Sequence, residues 1–262
     1  MTVSAGLRPV TPLGILAARL DAVCGRLDGV PEEVRAELEG IRDLAVGFEP
    51  YLEAQTTPES PALALLAERT LAAAWSGSLE AEMLSGHVEG RFLAFLLRTA
   101  RARRVLEVGM FTGYSALAMA EALPAGGEVV ACELDADVAA FARECFDESP
   151  DGGTIDVRVG PAADTLAALV AEGQVFDVVF VDADKAGYAG YLQTVLHGGL
   201  LADGGLVVVD NTLMQGQPWA GDRTANGEAI AAFNDAVTAD PRVEQVLVPL
   251  RDGITLIRRT DS

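Results

Sequence analysis

One lysine stands among the 19 Lys and Arg residues of this 262-residue chain, at position 185 in VVFVDADKAGYAGYL. Arg stays protonated in practice, whereas Lys can be tuned to give up its proton. A chain that uses Arg everywhere else and Lys here marks Lys185 as a candidate for proton chemistry, against the plain alternative of a stray surface lysine. Its neighbours sharpen the case. Asp182 and Asp184 flank it, and a second oxygen-bearing pair, Asp210-Asn211, follows the next apolar run. Asp182, Asp210 and Asn211 offer only oxygen donors, which suit a hard cation: Mg²⁺ first, then Mn²⁺ or Ca²⁺. Taken singly, Asp210-Asn211 reads equally well as a turn or a helix cap.

Upstream, Glu107-Val-Gly109-Met-Phe-Thr-Gly113-Tyr-Ser115 is a glycine-bearing turn that matches neither G-x-G-x-x-G nor G-x-x-x-x-G-K-[ST]. It has no basic residue and brings the negative charge of Glu107, so it fits a neutral or cationic adenosyl ligand better than a pyrophosphate. Gly109 and Gly113 would let backbone approach that ligand, or simply pack a helix. Glu133 comes 26 positions after Glu107, where an acid typically accepts hydrogen bonds from ribose hydroxyls.

These residues need elements to hold them. RRVLEVG, EVVACELD, TIDVRVG, FDVVFVDAD and GGLVVVDN read as buried strands, each followed by a helical pattern. That is the grammar of a parallel sheet covered on both faces. In such sheets ligands bind at the carboxyl ends of the strands, where Glu107, Glu133, Asp182 and Asp210 fall. VEQVLVPL and GITLIRR around Arg251-Asp252-Gly253 read as a closing antiparallel hairpin. Leu13, Leu16, Leu20, Val23 and Leu27, then Val34, Leu38, Ile41 and Ala45, make two helical stripes over residues 12–46, ended by Gly47 to Pro50. Residues 1–47 are thus expected to be a helical hairpin extension, and 48–262 the main domain. The hairpin cannot bury its stripe alone and must pack on the main domain or on another subunit.

The net charge of −20 argues against a nucleic-acid surface and disfavours anionic membranes. No apolar run is long enough to span a bilayer. MTVSAGLRPVTPLG does not read as a signal peptide. Cys24, Cys132 and Cys145 have no metal-binding spacing and read as buried thiols in a reducing cytoplasm.

Five stretches resemble the cation-dependent class I O-methyltransferases, the catechol and caffeoyl-CoA type. They are VLEVGMFTGYSALAMAEALP, RVGPAADTL, FDVVFVDADKAGY, GGLVVVDNTL and DPRVEQVLVPLRDGITLIRR. EMLSGHVEGRFLAFLLR also fits, and the likeness spans roughly residues 50–259. It implies a Rossmann-like class I methyltransferase fold: a mostly parallel seven-stranded sheet with helices on both faces. It implies S-adenosylmethionine as methyl donor, lined by Glu107, Gly109, Ser115, Glu133, Ala162 and Asp184, with Ser85 close by. It makes Asp182, Asp210 and Asn211 the metal ligands and Lys185 the general base of transfer to a catechol-like acceptor, in a homodimer. The chain departs from the plant members at DNTLMQG, where they read DNTLWNG, so Met214 and Gln215 replace an aromatic and an asparagine near the acceptor. MQGQPWAGDRTANG, with Trp219, and Tyr188 before it read as the acceptor side. The competing readings are a nicotinamide oxidoreductase, disfavoured by the missing glycine motif, a non-catalytic binding protein, and a metal-independent methyltransferase.

Overall fold

The structure, a computed structural model, describes residues 8–220 and 223–260. Readings that touch 1–7, 221–222 of the acceptor-side loop, or 261–262 lie in part outside the described residues.

Seven strands form one sheet: β1 (Arg104–Val108), β2 (Glu128–Glu133), β3 (Ile155–Val159), β4 (Phe176–Val181), β5 (Leu201–Val209), β6 (Val243–Val248) and β7 (Ile254–Arg259). Their order is β3-β2-β1-β4-β5-β7-β6. The first five run parallel, β7 lies antiparallel to β5, and β6 antiparallel to β7. The expected hairpin is present, with its second strand inserted beside β5 and its first left at the edge.

The alternation along the strands builds two cores. Val105, Val129, Val178, Phe180 and Val208 pack against α3 (Pro61–Ala72), α4 (His87–Ala100), α5 (Tyr114–Ala120) and α6 (Ala136–Phe146). Leu106, Val108, Val130, Val179, Val181, Val207 and Val209 pack against α7 (Ala162–Ala171), α8 (Tyr188–His197) and α9 (Ala225–Ala239). Successive strand residues point to opposite faces, so a strand buried on both sides reads as continuously apolar.

The N-terminal pair is α1 (Pro12–Cys24) and α2 (Glu32–Gln55). Thr11 caps α1, its Oγ1 accepting from Gly14 N at 2.9 Å. The expected stop at Gly47–Pro50 is absent, and α2 runs through Pro50 to Gln55. Proline removes one helical hydrogen bond and crowds the carbonyl four residues back. Here that carbonyl belongs to exposed Val46, which leaves it open to water. α2 packs on α4, and just before the proline Glu49 Oε1 accepts from Thr11 Oγ1 at 2.6 Å. Tertiary contacts therefore carry the helix past its local breakers. Among the described residues no helix is long and apolar enough to cross a membrane, and Cys24, Cys132 and Cys145 are buried free thiols.

Candidate active site

A cleft of about 670 Å³ opens over the carboxyl ends of β1, β2, β4 and β5. Ser85, Gly109, Ser115, Glu133, Ala162, Asp182, Asp184, Lys185, Asp210 and Asn211 all line it. Glu107 and Gly113 do not; they lie behind its wall. Both glycines make close approaches to protein. A Cβ on Gly109 (φ +94°) would sit 2.2 Å from the Asp182 carbonyl oxygen, and one on Gly113 (φ +87°) 2.3 Å from the Phe146 ring. Gly109 thus lets the first turn press against the strand end that carries Asp182, and Gly113 seats α5 on α6.

Glu107 is fully buried on the α5 side of the sheet. Ser115 Oγ donates to its Oε1, while its Oε2 is buried with no partner. Burial, reinforced by Asp182 and Glu133 and opposed by Ser115, pushes its pKa well above the usual carboxylate range. Such a group gains by ionising beside a cation. Glu133 is held by Phe111 N on Oε2 at 2.7 Å and Asp135 N on Oε1 at 2.9 Å. Those two bonds fix its carboxylate against the cleft, and burial raises its pKa in spite of them.

Lys185 sits in a short 3₁₀ turn after β4. Its Nζ donates to Asp182 Oδ1 at 2.9 Å and to Tyr188 Oη at 2.7 Å. Tyr188 Oη in turn donates to the Asp210 carbonyl at 3.0 Å. Tyr188, expected on the acceptor side, is instead fully buried and braces the lysine. Asp184 caps the turn by accepting from Gly187 N at 2.9 Å and also accepts from Tyr191 Oη. Asp184 thus both lines the cleft and shapes the turn.

Asp210 follows β5, and its Oδ1 is buried without a hydrogen-bond partner. Burial, then the charge of Asp182, raises its pKa to about 7. Asn211 adopts φ 57°, a left-handed conformation that Asn tolerates better than most residues. Among the described residues no group of three or more His, Cys, Asp or Glu side chains is gathered as a metal cage. The expected set is two carboxylates and an amide, and Lys185 occupies one of the carboxylate oxygens. The orphaned Asp210 oxygen beside a second carboxylate is what a bound cation would relieve, so the donor set fits a hard cation.

The sequence reading missed three groups. Glu89, from the first turn of α4, is buried at 1% exposure and pairs with Arg251 Nη1 at 3.1 Å. Burial and then Asp210 push its pKa well up. Asp252 accepts from Gln215 N at 2.5 Å. Arg8, Val10 and Thr11 form part of the cleft wall, so the segment leading into α1 reaches the site. On the acceptor side Met214, Gln215 and Asn226 line the cleft, whereas Trp219 is 62% exposed and turned outward. His87 Nε2 lies 2.6 Å from the Thr57 carbonyl and serves to anchor the start of α4.

Asp252 carries a pH signature. Burial raises its pKa to about 7, against the Gln215 N–H. An acid whose folded pKa lies above its unfolded one binds more protons when folded, so stability falls as pH rises from about 4 to about 7. Asp252→Asn removes that slope. Relative to wild type the variant is expected to gain about 1–3 kcal/mol between pH 5 and pH 8, read from denaturant melts of ligand-free protein. An unchanged difference at the two pH values would contradict the assignment.

Comparison with known proteins places this geometry. The O-methyltransferase family model matches residues 53–260. The caffeoyl-CoA O-methyltransferase of Petroselinum crispum is 34% identical over 228 residues, covering 81% of this chain and 90% of that one. The catechol O-methyltransferase domain-containing protein 1 of Mus musculus is 36% identical over 211 residues, covering 79% and 77%. The SAH-bound methyltransferase of Podospora anserina superposes with a TM-score of 0.75 at 31% identity, covering 84% of this chain and 96% of that one. The sheet order, the cleft at its carboxyl edge and these likenesses agree: the chain belongs to the class I O-methyltransferase family of the caffeoyl-CoA and catechol type, and is an S-adenosylmethionine-dependent enzyme.

Proposed function

We propose that the enzyme methylates one hydroxyl of a vicinal-diol phenol with the help of a divalent cation. The observation that carries this reading is the buried, partnerless Asp210 Oδ1 in the field of Asp182, whose Oδ1 is held by Lys185. Asp182, Asp210 and Asn211 would hold the cation. Bound there, it would supply Lewis acidity and chelation, which lower the pKa of a phenol from about 10 and fix its oxygen.

The chain's own groups do the rest. A neutral lysine amine has two N–H groups and one lone pair. Asp182 and Tyr188 accept the two N–H bonds, which leaves the lone pair for the acceptor hydroxyl. Lys185 takes that proton as the methyl moves in line from sulfur to oxygen. Glu107, Gly109, Ser115, Glu133, Ala162, Asp184 and Ser85 make up the S-adenosylmethionine side. Glu133 meets the ribose, and Glu107, its pKa raised by burial, favours the cationic end of the donor from behind Ser115.

The test is a panel of vicinal diols and their single-hydroxyl analogues, with products separated by chromatography. Turnover confined to the diols is expected. Equal turnover of single hydroxyls would show that no chelation is needed and would favour a metal-independent methyltransferase.

We further propose a working division into an N-terminal helical extension, residues 1–47, and a methyltransferase domain, residues 48–262, joined within α2. The extension would serve a homodimer. Val34, Ile41, Leu44, Phe48 and Tyr51 of α2 are exposed, Leu44 at 79% and Tyr51 at 66%. Apolar side chains gathered on one helix mark an interaction surface. Sedimentation is expected to give twice the 27.4 kDa chain mass, and a monomer at micromolar concentration would contradict it. With its buried free thiols, the enzyme is assigned to the cytoplasm.

A further inference from the structure

We propose that Arg251 selects acceptors that carry a carboxylate in addition to the vicinal diol. The inference rests on the acceptor reading above and deepens it.

Arg251 occupies an unusual position. Gly253 N donates to the Leu250 carbonyl at 2.8 Å and closes a tight turn between β6 and β7. Arg251 is its first central residue, with φ 49°. A turn with positive φ there normally takes glycine, and a side chain in that region costs about 1–3 kcal/mol. Strain of this kind points to a role for the side chain.

The side chain leaves the turn and enters the cleft. Nη1 donates to the Leu84 carbonyl and to Glu89 Oε2, both at 3.1 Å. These bonds use one nitrogen. Nε and Nη2 make no hydrogen bond to a described residue, and the side chain retains 27% exposure. It lines the same cleft as Asp210, Asn211, Met214 and Gln215, so the guanidinium belongs to the acceptor end of the site. The other cations of the cleft differ. Lys185 is held between Asp182 and Tyr188, and Arg8 is 53% exposed and paired with Glu80.

A cleft walled by Asp182, Asp184, Asp210 and Asp252 would repel an anionic acceptor. Arg251 reverses that locally. A guanidinium anchored through one nitrogen presents its remaining donors in a fixed planar fork, the geometry that carboxylates accept. Glu89 and Leu84 set the direction of the fork; the acceptor's carboxylate would complete it.

The test uses three probes: 3,4-dihydroxybenzoate, 4-methylcatechol and benzoate. Their affinities are measured by calorimetry on the full chain with Mg²⁺ and S-adenosylhomocysteine. Wild type is expected to bind 3,4-dihydroxybenzoate more tightly than 4-methylcatechol. In Arg251→Gly, where glycine suits the turn, that preference is expected to fall about 10- to 100-fold, the scale of a charge-assisted hydrogen bond. Arg251→Lys keeps the charge without the fork and is expected to fall between the two. A thermal melt checks that each variant folds. No preference in wild type, or a preference unchanged in Arg251→Gly, would overturn the proposal. So would an equal loss for both diols, which would reduce Arg251 to bracing α4. Carboxylated probes, benzoate included, that bind wild type through Arg251 without methyl transfer to any diol would sink the proposed function and leave standing only the capture of a carboxylate by Arg251.

Discussion

Lys185→Arg is expected to lower kcat by about 10²- to 10⁴-fold, the usual contribution of a positioned general base, or about 3–5 kcal/mol of barrier. The variant keeps a positive charge next to Asp182, so it separates charge from proton acceptance. Arginine at this position could still donate to Asp182 and Tyr188. It could not release a proton to become a base, because its pKa exceeds 12. Single-turnover rates give the chemical step directly, and S-adenosylhomocysteine binding reports that the cofactor side is intact. A rate within a few-fold of wild type would mean that Lys185 only neutralises its neighbours and that the acceptor ionises without it.

Asp210→Asn is expected to move activity and stability in opposite directions. The variant keeps the shape of the side chain and removes its charge. Loss of a cation ligand removes several kcal/mol of charge stabilisation, so turnover is expected to fall about 10³-fold. Ligand-free protein is expected to melt higher than wild type at pH 8. Burial beside Asp182 raises the Asp210 pKa to about 7, so the folded state holds the proton that the unfolded chain releases above about 4. This cost to stability grows as pH rises toward 7 and is fully present above it. Below about pH 4 both states are protonated and the advantage of the variant disappears. Melts in EDTA at the two pH values, set against turnover with Mg²⁺, read both effects. A variant that is inactive and also less stable at pH 8 would show Asp210 to be structural.

Much of this site was legible because it lies at strand ends. Apolar strands followed by Glu107, Glu133, Asp182 and Asp210 forecast which residues meet, since parallel neighbours bring their carboxyl ends together. Lys185 stood out because arginine replaces lysine everywhere else in the chain. The reading weakened where function depends on contacts between distant segments. Glu89 and Arg251 are 162 positions apart, and no periodicity links them. The signal for Arg251 was nevertheless present: an arginine before Asp-Gly in a turn whose first central position favours glycine. Gly109 and Gly113 were read as space for a ligand or as helix packing, and the structure adds that they make room for the Asp182 carbonyl and the Phe146 ring. A glycine in a turn announces close approach without saying what approaches. Pro50 looked like a helix stop because local rules end a helix there, but packing on α4 carries α2 onward. Arg8, Val10 and Thr11 come from a segment read as a separate appendage, and only tertiary structure places them in the cleft wall.

The central claim is that Asp182, Asp210 and Asn211 hold a cation on which methyl transfer depends. Its most direct test is the rate of methyl transfer from S-adenosylmethionine to a vicinal diol, measured in EDTA and again as Mg²⁺ is added back. No turnover is expected in EDTA, with recovery that saturates as metal is added. Turnover indifferent to EDTA would show that the three residues serve structure alone and that Lys185 acts on the acceptor without a cation.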